Sequence, residues 1–298
     1  MATIRELLRR GSQLLAAAKT DIERPSHEAA LLLAAAAGLT KEHLYSRYTD
    51  DLPPAANARF EEYLSSRATG TPVAYILGRK EFYGRTFLTD PRALIPRPDT
   101  EILVDRALEI IRKEIGDAAR CEPYRVHDCC TGTGCIAISL AAELAEARLG
   151  PVDVTASDIS PAALELARKN GDRLAPGLVR FHESDLLEDA KTGSFDLITA
   201  NPPYLTSEET GEALTQGWGE PALALDGGPE GFDLLPRLLN EALASLRQNG
   251  YILVEAASSQ AAGIRSLMRE AGFVEIETAE DLAGRERVTI GKHDPEHR

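Results

Sequence analysis

Residues 195–204 read FDLITANPPY, an apolar run followed at once by an amide, two prolines and an aromatic ring. The run has the length and composition of a buried parallel strand. Neither proline can donate a hydrogen bond to a neighbouring strand, so the strand must end at Ala200. Because open α/β sheets bind their ligands at the carboxyl ends of the strands, we expect Asn201 to Tyr204 at a functional edge of a sheet.

The same segment favours one kind of substrate. The amide oxygen of Asn201 and the carbonyl of Pro202 can each accept one hydrogen of an NH2 group, and Tyr204 can lie on the face of a planar group. The segment is therefore typical of a site for a planar substrate that carries an NH2 group. The plainer alternative is a proline turn closed by a buried tyrosine.

Strands and helices alternate from about residue 97 onward. The patterns predict strands at 124–128, 152–157, 178–182, 195–200, 251–255, 273–278 and 287–291. They predict helices at 98–115, 134–147, 161–171, 231–247 and 259–271, the third capped by Ser160 and closed by Gly171. Such alternation predicts an α/β fold in which helices cover both faces of a mostly parallel sheet.

The chain before residue 97 has a different character. Residues 1–71 show only helical periodicity, which predicts a small helical bundle. Ser26 is expected to cap a helix that begins near His27 and ends at Gly38. Alternating residues between 72 and 96, interrupted by glycines, predict a β-hairpin connector. We therefore expect a helical domain (1–71), a connector (72–96) and an α/β domain (97–298).

Composition narrows the classes of function. The chain has 298 residues, 43% of them hydrophobic, and a net charge of -14, so its length favours two domains. An acidic chain is a poor non-specific binder of nucleic acid, because phosphate binding needs clustered Lys and Arg; a basic protein partner suits it better. No run of about 18 apolar residues predicts a membrane span, and residues 1–10 lack a signal-peptide core.

The cysteines suggest no metal centre. Cys121, Cys129, Cys130 and Cys135 match no zinc spacing, and the six histidines form no cluster. We therefore expect small buried thiols in a reducing cytoplasm and no metal ion. A metal or redox site is the alternative.

A glycine-rich turn follows the first strand of the alternating region, where residues 128–134 read DCCTGTG. Glycines permit a tight turn and a close approach of the backbone to a ligand at a helix N-terminus. Asp158 ends the next strand, where a carboxylate can bind the two hydroxyls of a ribose. Asp185 ends the third strand and could meet an adenine amino group. In this order the features favour an adenosine-type cofactor.

Two cofactors compete for this pattern. Gly132, Gly134 and Ala137 satisfy the spacing of the dinucleotide fingerprint, which keeps a nicotinamide dehydrogenase open. Asp185 favours S-adenosylmethionine instead. Asp128 does so too, because a carboxylate suits the ammonium of a methionine better than a pyrophosphate.

Several short motifs are shared with one known family. They are residues 97–101 (RPDTE), the glycine loop, residues 201–204 (NPPY), and shorter matches at 220–221, 227–228 and 285–288. On these the chain resembles the release factor glutamine methyltransferases, from about Pro72 to Gly291, and the preceding helical segment is similar to the family's N-terminal domain. The resemblance implies a class I S-adenosylmethionine-dependent methyltransferase fold, Rossmann-like, with a seven-stranded sheet.

The resemblance also implies a function. The enzyme would transfer a methyl group from S-adenosylmethionine to the glutamine side-chain amide in the Gly-Gly-Gln motif of peptide chain release factors, supporting translation termination. Residues 1–71 would dock the factor and residues 97–298 would catalyse. We expect a cytoplasmic monomer that binds neither membrane nor nucleic acid directly. An adenine-amino methyltransferase acting on DNA or RNA, and a non-catalytic protein-binding module built on residues 1–70, are the alternatives.

Site residues follow from the matched positions and from the glycine-loop pattern. The cofactor contacts would be Asp128, Cys130, Thr131, Gly132, Thr133, Gly134, Asp158, Asp185, Leu186 and Asn201. The substrate glutamine would be held by Asn201, Pro202, Pro203 and Tyr204, with Arg97 and Glu101 nearby. Of these, Asn201, Pro202 and Tyr204 would form the catalytic set.

Three positions depart from the family's pattern. Cys130 stands where glycine is usual, and Leu186 stands where an aromatic residue often lies beside adenine. Ala256 and Ala257 follow Glu255 where a glycine-containing segment is expected. None of these removes the catalytic set, but they put the cofactor affinity in doubt.

Overall fold

The computed structural model describes residues 2–18, 20, 22–116, 122–294 and 296. Contacts divide the chain into two compact units: Met1–Arg79 with Gly211–Gly219, and Lys80–Thr210 with Glu220–Arg298. Cys121 lies outside the described residues. The domain limits expected at 71 and 96 stay predictions, and the segment from Lys80 to residue 96 lies in the second unit.

The first unit is built from helices: α1 (Ile4–Ala16), α2 (Pro25–Ala37), α3 (Lys41–Ser46), α4 (Pro54–Ala68) and α5 (Val73–Leu77). Its core contains Leu7, Leu32 and Phe60, each at most 1% exposed. The predicted start of α2 near His27 was wrong. Proline is favoured in the first turn of a helix, so α2 begins at Pro25 and Ser26 lies within it.

The predicted connector was partly wrong. Residues Val73–Leu77 form the single turn α5, which Pro72 precedes and Gly78 ends with a φ of +66°. The hairpin begins only afterwards, with β1 (Arg79–Phe82) and β2 (Arg85–Leu88). Tyr83 and Gly84 join these strands with φ values of +49° and +69°, the left-handed pair that a tight hairpin turn requires.

Within the described residues, seven strands of the second unit form one sheet. They are β3 (Tyr124–Cys129), β4 (Val152–Asp158), β5 (Val179–Glu183), β6 (Phe195–Ala200), β7 (Leu246–Glu255), β8 (Phe273–Glu280) and β9 (Glu286–His293). Their order is β5-β4-β3-β6-β7-β9-β8, and only β9 runs antiparallel to its neighbours. The strand order reverses between β3 and β6. Their carboxyl ends therefore open the crevice in which such sheets bind ligands.

Helices cover both faces of this sheet, as predicted. After the hairpin come α6 (Glu101–Gly116), α7 (Cys135–Glu146), α8 (Pro161–Leu174), α9 (Ser207–Thr215), α10 (Leu235–Ser245) and α11 (Ala261–Ala271). Successive residues of β6, Leu197 and Ile198, belong to different core clusters. The first cluster contains residues of α6 and α7, and the second contains residues of α10 and α11. The alternation of side chains along a strand thus separates the two faces.

Three predicted helix bounds were wrong for identifiable reasons. The segment before α6 is a 3-10 turn, Pro98–Thr100. Gly171 does not close α8; a Cβ there would lie 2.9 Å from the ring of Phe181, so this glycine permits close helix–strand packing. The helix predicted at 231–247 spans only Leu235–Ser245, because β7 begins at Leu246 and contains Asn249, with a φ of +62°. Across the described residues, no helix combines the length and apolar character that a bilayer crossing needs.

Candidate active site

One cavity lies at the carboxyl ends of β3, β4, β5 and β6, within the second unit. Its wall includes the predicted residues Arg97, Cys130, Thr131, Gly132, Thr133, Asp158, Asp185, Leu186, Asn201 and Pro203. The wall also contains segment 92–97, Thr100, Pro221, Leu223 and Ala224. Other predicted residues are described by the structure but lie off that wall: Glu101, Asp128, Gly134, Pro202 and Tyr204.

The loop between β3 and α7 presents its backbone to the cavity. Cys130, Gly132 and Gly134 have left-handed φ values of +58°, +55° and +80°. A Cβ built on Gly132 would meet only the Cβ of Ala93, at 4.0 Å, so it would project into the cavity. The loop therefore leaves space for a ligand to approach the N-terminus of α7 closely.

Asp128 lies beneath this loop and not in the cavity. Its Oδ2 accepts a hydrogen bond of 2.6 Å from the Thr131 hydroxyl, and its Oδ1 accepts one of 2.8 Å from Thr199. The residue is fully buried, and this burial raises the pKa of its carboxyl to about 7. Asp128 thus ties the loop to β6. The direct ammonium contact expected from the sequence is not supported by this position.

Asp158 is held at the cavity wall by backbone groups. Its Oδ2 accepts a hydrogen bond of 2.8 Å from the Gly132 N–H, and its Oδ1 accepts one of 2.9 Å from the Ser160 N–H. Burial raises the pKa of this carboxyl, although the two backbone hydrogen bonds act to lower it. Each oxygen keeps a second lone pair. The side chain is therefore pre-oriented to accept hydrogen bonds from two adjacent hydroxyls.

Asp185 and Leu186 form the part of the wall that follows β5. Asp185 forms an ion pair with Arg237 of α10. Leu186 is only 5% exposed and has a φ of +52°, a backbone conformation that costs a branched residue energy. Two residues that depart from the family's pattern line the cavity, Cys130 and Leu186. Both therefore have a left-handed backbone conformation.

The NPPY segment divides between the cavity and the core. Asn201 and Pro203 line the wall, whereas Pro202 is buried. The Tyr204 side chain packs at the edge of the core cluster that contains Ile198, and burial raises the pKa of its hydroxyl. Its carbonyl accepts a hydrogen bond of 2.9 Å from Gln260 Nε2. The placement of Tyr204 on a substrate face stays a prediction.

The residues of the RPDTE segment also lie in two different places, the cavity wall and the hairpin turn. Arg97 lines the cavity, and its guanidinium lies 2.5 Å from Glu220, whose side chain is 3% exposed. The other carboxylate oxygen of Glu220 accepts the Ile95 N–H at 3.0 Å. Glu101 instead accepts the N–H of Tyr83 in the hairpin turn, at 2.8 Å. Arg97 is thus a wall residue, and Glu101 supports the hairpin.

Two polar residues beside Asn201 were not identified from the sequence. Thr100 and Glu255 are each 2% exposed, and the Thr100 hydroxyl donates a hydrogen bond of 3.0 Å to Glu255. Burial raises the pKa of the Glu255 carboxyl to about 7. Glu255 ends β7, the neighbour of β6, so an acid at a strand end was the available signal.

The described cysteines, Cys129, Cys130 and Cys135, are free thiols. Burial raises the pKa of Cys135 to about 12. Among the described side chains, no group of three or more His, Cys, Asp or Glu is arranged to hold a metal ion.

The sheet order, the antiparallel β9 and the glycine loop at the switch point define a class I S-adenosylmethionine-dependent methyltransferase fold. A solved structure of the hMettl16 catalytic domain in complex with MAT2A 3'UTR hairpin 6 shares this fold, with a TM-score of 0.54 and 17% identity over 78% of this chain and 82% of that one. Two family models match the chain: the PrmC N-terminal domain at residues 6–78 and the methyltransferase small domain at 103–222.

Full-length relatives identify the family. The chain is 38% identical to the release factor glutamine methyltransferase of Moorella thermoacetica, over 97% of this chain and 98% of that protein. It is 36% identical to the protein of that name from Koribacter versatilis, over 91% and 92% of the two chains, and 38% identical to that of Neisseria gonorrhoeae, over 90% and 94%. The chain belongs to the release factor glutamine methyltransferase family.

Proposed function

We propose that this protein transfers a methyl group from S-adenosylmethionine to the side-chain amide nitrogen of the glutamine in the Gly-Gly-Gln motif of peptide chain release factors. The observation that carries the proposal is the position of Asn201, which shares one cavity wall with Gly132 and Asp158. An acceptor suited to an amide NH2 thus lies beside a cradle suited to an adenosine-type donor.

The residues of the cavity fit this donor. The open space over Gly132 admits the amino-acid part near the N-terminus of α7, and the Asp158 carboxylate suits the two ribose hydroxyls. Ile159 and Leu186 offer apolar surface to the adenine, and Asp185 is an acceptor for its amino group. When bound, S-adenosylmethionine supplies a methyl group on a positively charged sulfur.

The chain's own residues act chiefly by orientation. An amide nitrogen is a weak nucleophile, because its lone pair is delocalised into the carbonyl. The Asn201 oxygen and the Pro202 carbonyl accept the two N–H groups and so turn the lone pair of the nitrogen toward the methyl group. Fixing the reacting groups in this way supplies a large part of the rate enhancement.

No tuned general base is needed for this reaction. The substrate nitrogen becomes strongly acidic as its new bond to carbon forms, and its proton leaves to water. The imidazoles of His127 and His182 lie outside the cavity wall, which agrees with a reaction that uses no histidine. The buried carboxyls of Asp128 and Glu255 then serve the shape of the site and not proton abstraction.

The partner and setting follow from the same function. The release factor is the protein substrate, and the enzyme acts as a cytoplasmic monomer without direct binding of nucleic acid. The adenine-amino methyltransferase considered above is not favoured, because the full-length relatives carry the release factor name. The net charge of -14 also suits a basic protein better than a polyanion.

The helical unit docks the folded factor. This part of the proposal is supported by the match of residues 6–78 to the PrmC N-terminal domain. A folded partner has also already lost the conformational entropy that a flexible peptide must lose when it binds. The enzyme should therefore have a much higher kcat/KM for the whole factor than for a Gly-Gly-Gln loop peptide. Equal values for the two substrates would contradict docking.

Labelled S-adenosylmethionine tests the function. The enzyme is incubated in parallel with release factor, with a release factor whose motif glutamine is replaced by glutamate, and with DNA and RNA. Label should enter only the first protein. Label in nucleic acid, or equal labelling of both factors, would contradict the proposal.

A further inference from the structure

Three polar side chains from distant segments form a chain of hydrogen bonds that leads inward from the cavity wall. Asn201 Nδ2 donates to Thr100 Oγ1 at 3.5 Å, and Thr100 Oγ1 donates to Glu255 Oε1 at 3.0 Å. Thr100 and Glu255 are each 2% exposed; Thr100 and Asn201 line the cavity, whereas Glu255 lies behind them. The chain of bonds thus runs from a buried carboxylate to the side chain expected to hold the substrate.

The carboxylate fixes the direction of both bonds. An ionised Glu255 can only accept, so the single hydroxyl hydrogen of Thr100 must be donated to it. The Thr100 oxygen then only accepts, and Asn201 must turn its NH2 group toward Thr100. The Asn201 oxygen, on the same carbon, points away from Thr100. The flipped amide would set two acceptors against each other with no hydrogen between them.

We propose that Thr100 and Glu255 are positioning residues that fix the amide of Asn201 so that its oxygen accepts the hydrogen bond from the substrate glutamine. This inference rests on the proposed function. It assigns no proton transfer to either residue. Without these hydrogen bonds the side-chain amide of Asn201 could flip by about 180° and present its NH2 group to the substrate. With them, it presents its oxygen as the acceptor.

The state of Glu255 supports a functional reason for its burial. Its second oxygen, Oε2, is buried and has no hydrogen-bond partner among the described residues. A buried carboxylate with an unsatisfied oxygen is costly to the fold, and an apolar residue would be cheaper. Burial raises the pKa of Glu255 to about 7, despite the Thr100 hydrogen bond, the charge of Arg287 and the nearby Asn201 amide, which lower it.

The proposal predicts a pH dependence. Only the ionised carboxylate fixes the bond direction, because protonated Glu255 can donate and let the Thr100 hydroxyl turn. The charged and titratable groups that act on Glu255 are Arg287 of β9, Asp99 of the turn before α6, Tyr204 after β6 and Cys135 of α7. As Glu255 ionises, kcat should rise through a pH of about 7.

Thr100→Val and Thr100→Ser form a matched pair of variants. Valine keeps the shape of threonine without the hydroxyl, whereas serine keeps the hydroxyl. Thr100→Val should lower kcat about 10- to 100-fold through the misplaced amide, while the Kd for S-adenosylmethionine changes by less than about threefold. Thr100→Ser should recover most of the lost rate. Calorimetry, thermal unfolding and steady-state kinetics on whole release factor measure these effects.

Glu255→Gln adds an independent readout. Glutamine can present either an oxygen or an NH2 group to Thr100, so the bond direction is no longer fixed. The variant should lose rate and also lose the part of the pH dependence of kcat that belongs to Glu255. Asp128, whose pKa also lies at about 7, is present in both proteins and cancels in the comparison.

The outcomes distinguish a failure of the positioning role from a failure of the proposed function. Equal kcat for Thr100→Val and Thr100→Ser, or a loss in Thr100→Val matched by lost cofactor binding, overturns the positioning role. An unchanged kcat profile between pH 6 and 8 in Glu255→Gln overturns it as well. Failure of the parent enzyme to methylate release factor overturns the proposed function, and this inference with it.

Discussion

Replacing Asp158 by asparagine tests how the cavity holds its cofactor. Both carboxylate oxygens already accept backbone hydrogen bonds, at 2.8 Å from Gly132 and 2.9 Å from Ser160. Asparagine has one oxygen and one NH2 group. One backbone N–H must then face a donor, and one ribose hydroxyl must lose its charged acceptor.

The magnitude follows from these two losses. A hydrogen bond to a charged group contributes about 1.5–3 kcal/mol, so the Kd for S-adenosylmethionine should rise about 10- to 150-fold. The backbone N–H left without an acceptor should lower the free energy of unfolding by about 1–3 kcal/mol in the absence of cofactor. Both effects are expected in the same variant, because the carboxylate serves the loop and the ligand together.

Calorimetric titration with S-adenosylmethionine and denaturant unfolding measure the two effects. Asp153→Asn is the matched control, since Asp153 lies at the other end of β4 and pairs with the exposed Arg180. That control should change stability by at most about 1 kcal/mol and leave the cofactor Kd unchanged. If Asp158→Asn binds cofactor within about twofold of the parent, Asp158 does not hold the ribose and the argument fails.

Three further predictions follow from the site. Asn201→Ala should lower kcat at least about 100-fold with little change in the cofactor Kd, measured by single-turnover kinetics and calorimetry; near-parent turnover would mean that Asn201 is structural. Cys130→Gly should raise the free energy of unfolding by up to about 1 kcal/mol, because the φ of +58° suits glycine; a loss of stability in urea would contradict this reading of the loop. For Glu255 the pKa in the folded state, about 7, lies above the ordinary 4.5. Between pH 4.5 and pH 7 the folded protein therefore keeps a proton on Glu255 that the unfolded chain has released. Raising the pH through this window should lower the free energy of unfolding of the parent. Between pH 4 and pH 8, the free energy of unfolding of the parent should fall by roughly 3 kcal/mol more than that of Glu255→Gln. Parallel curves of unfolding free energy against pH for the two proteins would refute the raised pKa.

Local signals explain why so much of the fold was predictable. Prolines end β6 and glycines bend the loop after β3, and both act on the residues beside them. Alternating apolar runs marked the strands, and the class I methyltransferase sheet has the predicted mostly parallel form. The NPPY segment and Asp158 were found because the segment directly follows β6 and Asp158 is the last residue of β4.

The misses share a different cause. Gly171 resembles a helix stop, but its role is set by the ring of Phe181, on another element. Val73–Leu77 alternates like a strand, yet Pro72 and Gly78 confine it to one helical turn. Each depends on packing or on the bounds of an element, which a residue pattern alone does not give.

The site shows the same limit. Thr100 and Glu255 are 155 residues apart in the chain and meet only in the folded sheet. Asp128 was expected to contact the cofactor; its carboxylate accepts hydrogen bonds from two threonines beneath the loop, and the cofactor contact stays a prediction. A sequence pattern thus located the edge of the sheet and the residue types, and the fold decided which side chains reach the cavity.

Mass spectrometry of the release factor after incubation with the enzyme and S-adenosylmethionine tests the central claim most directly. The account predicts one added methyl group, located by fragmentation on the side-chain amide of the glutamine in the Gly-Gly-Gln motif, and none with Asn201→Ala. A methyl group on another residue, or an unmodified factor when the enzyme binds S-adenosylmethionine, would contradict it.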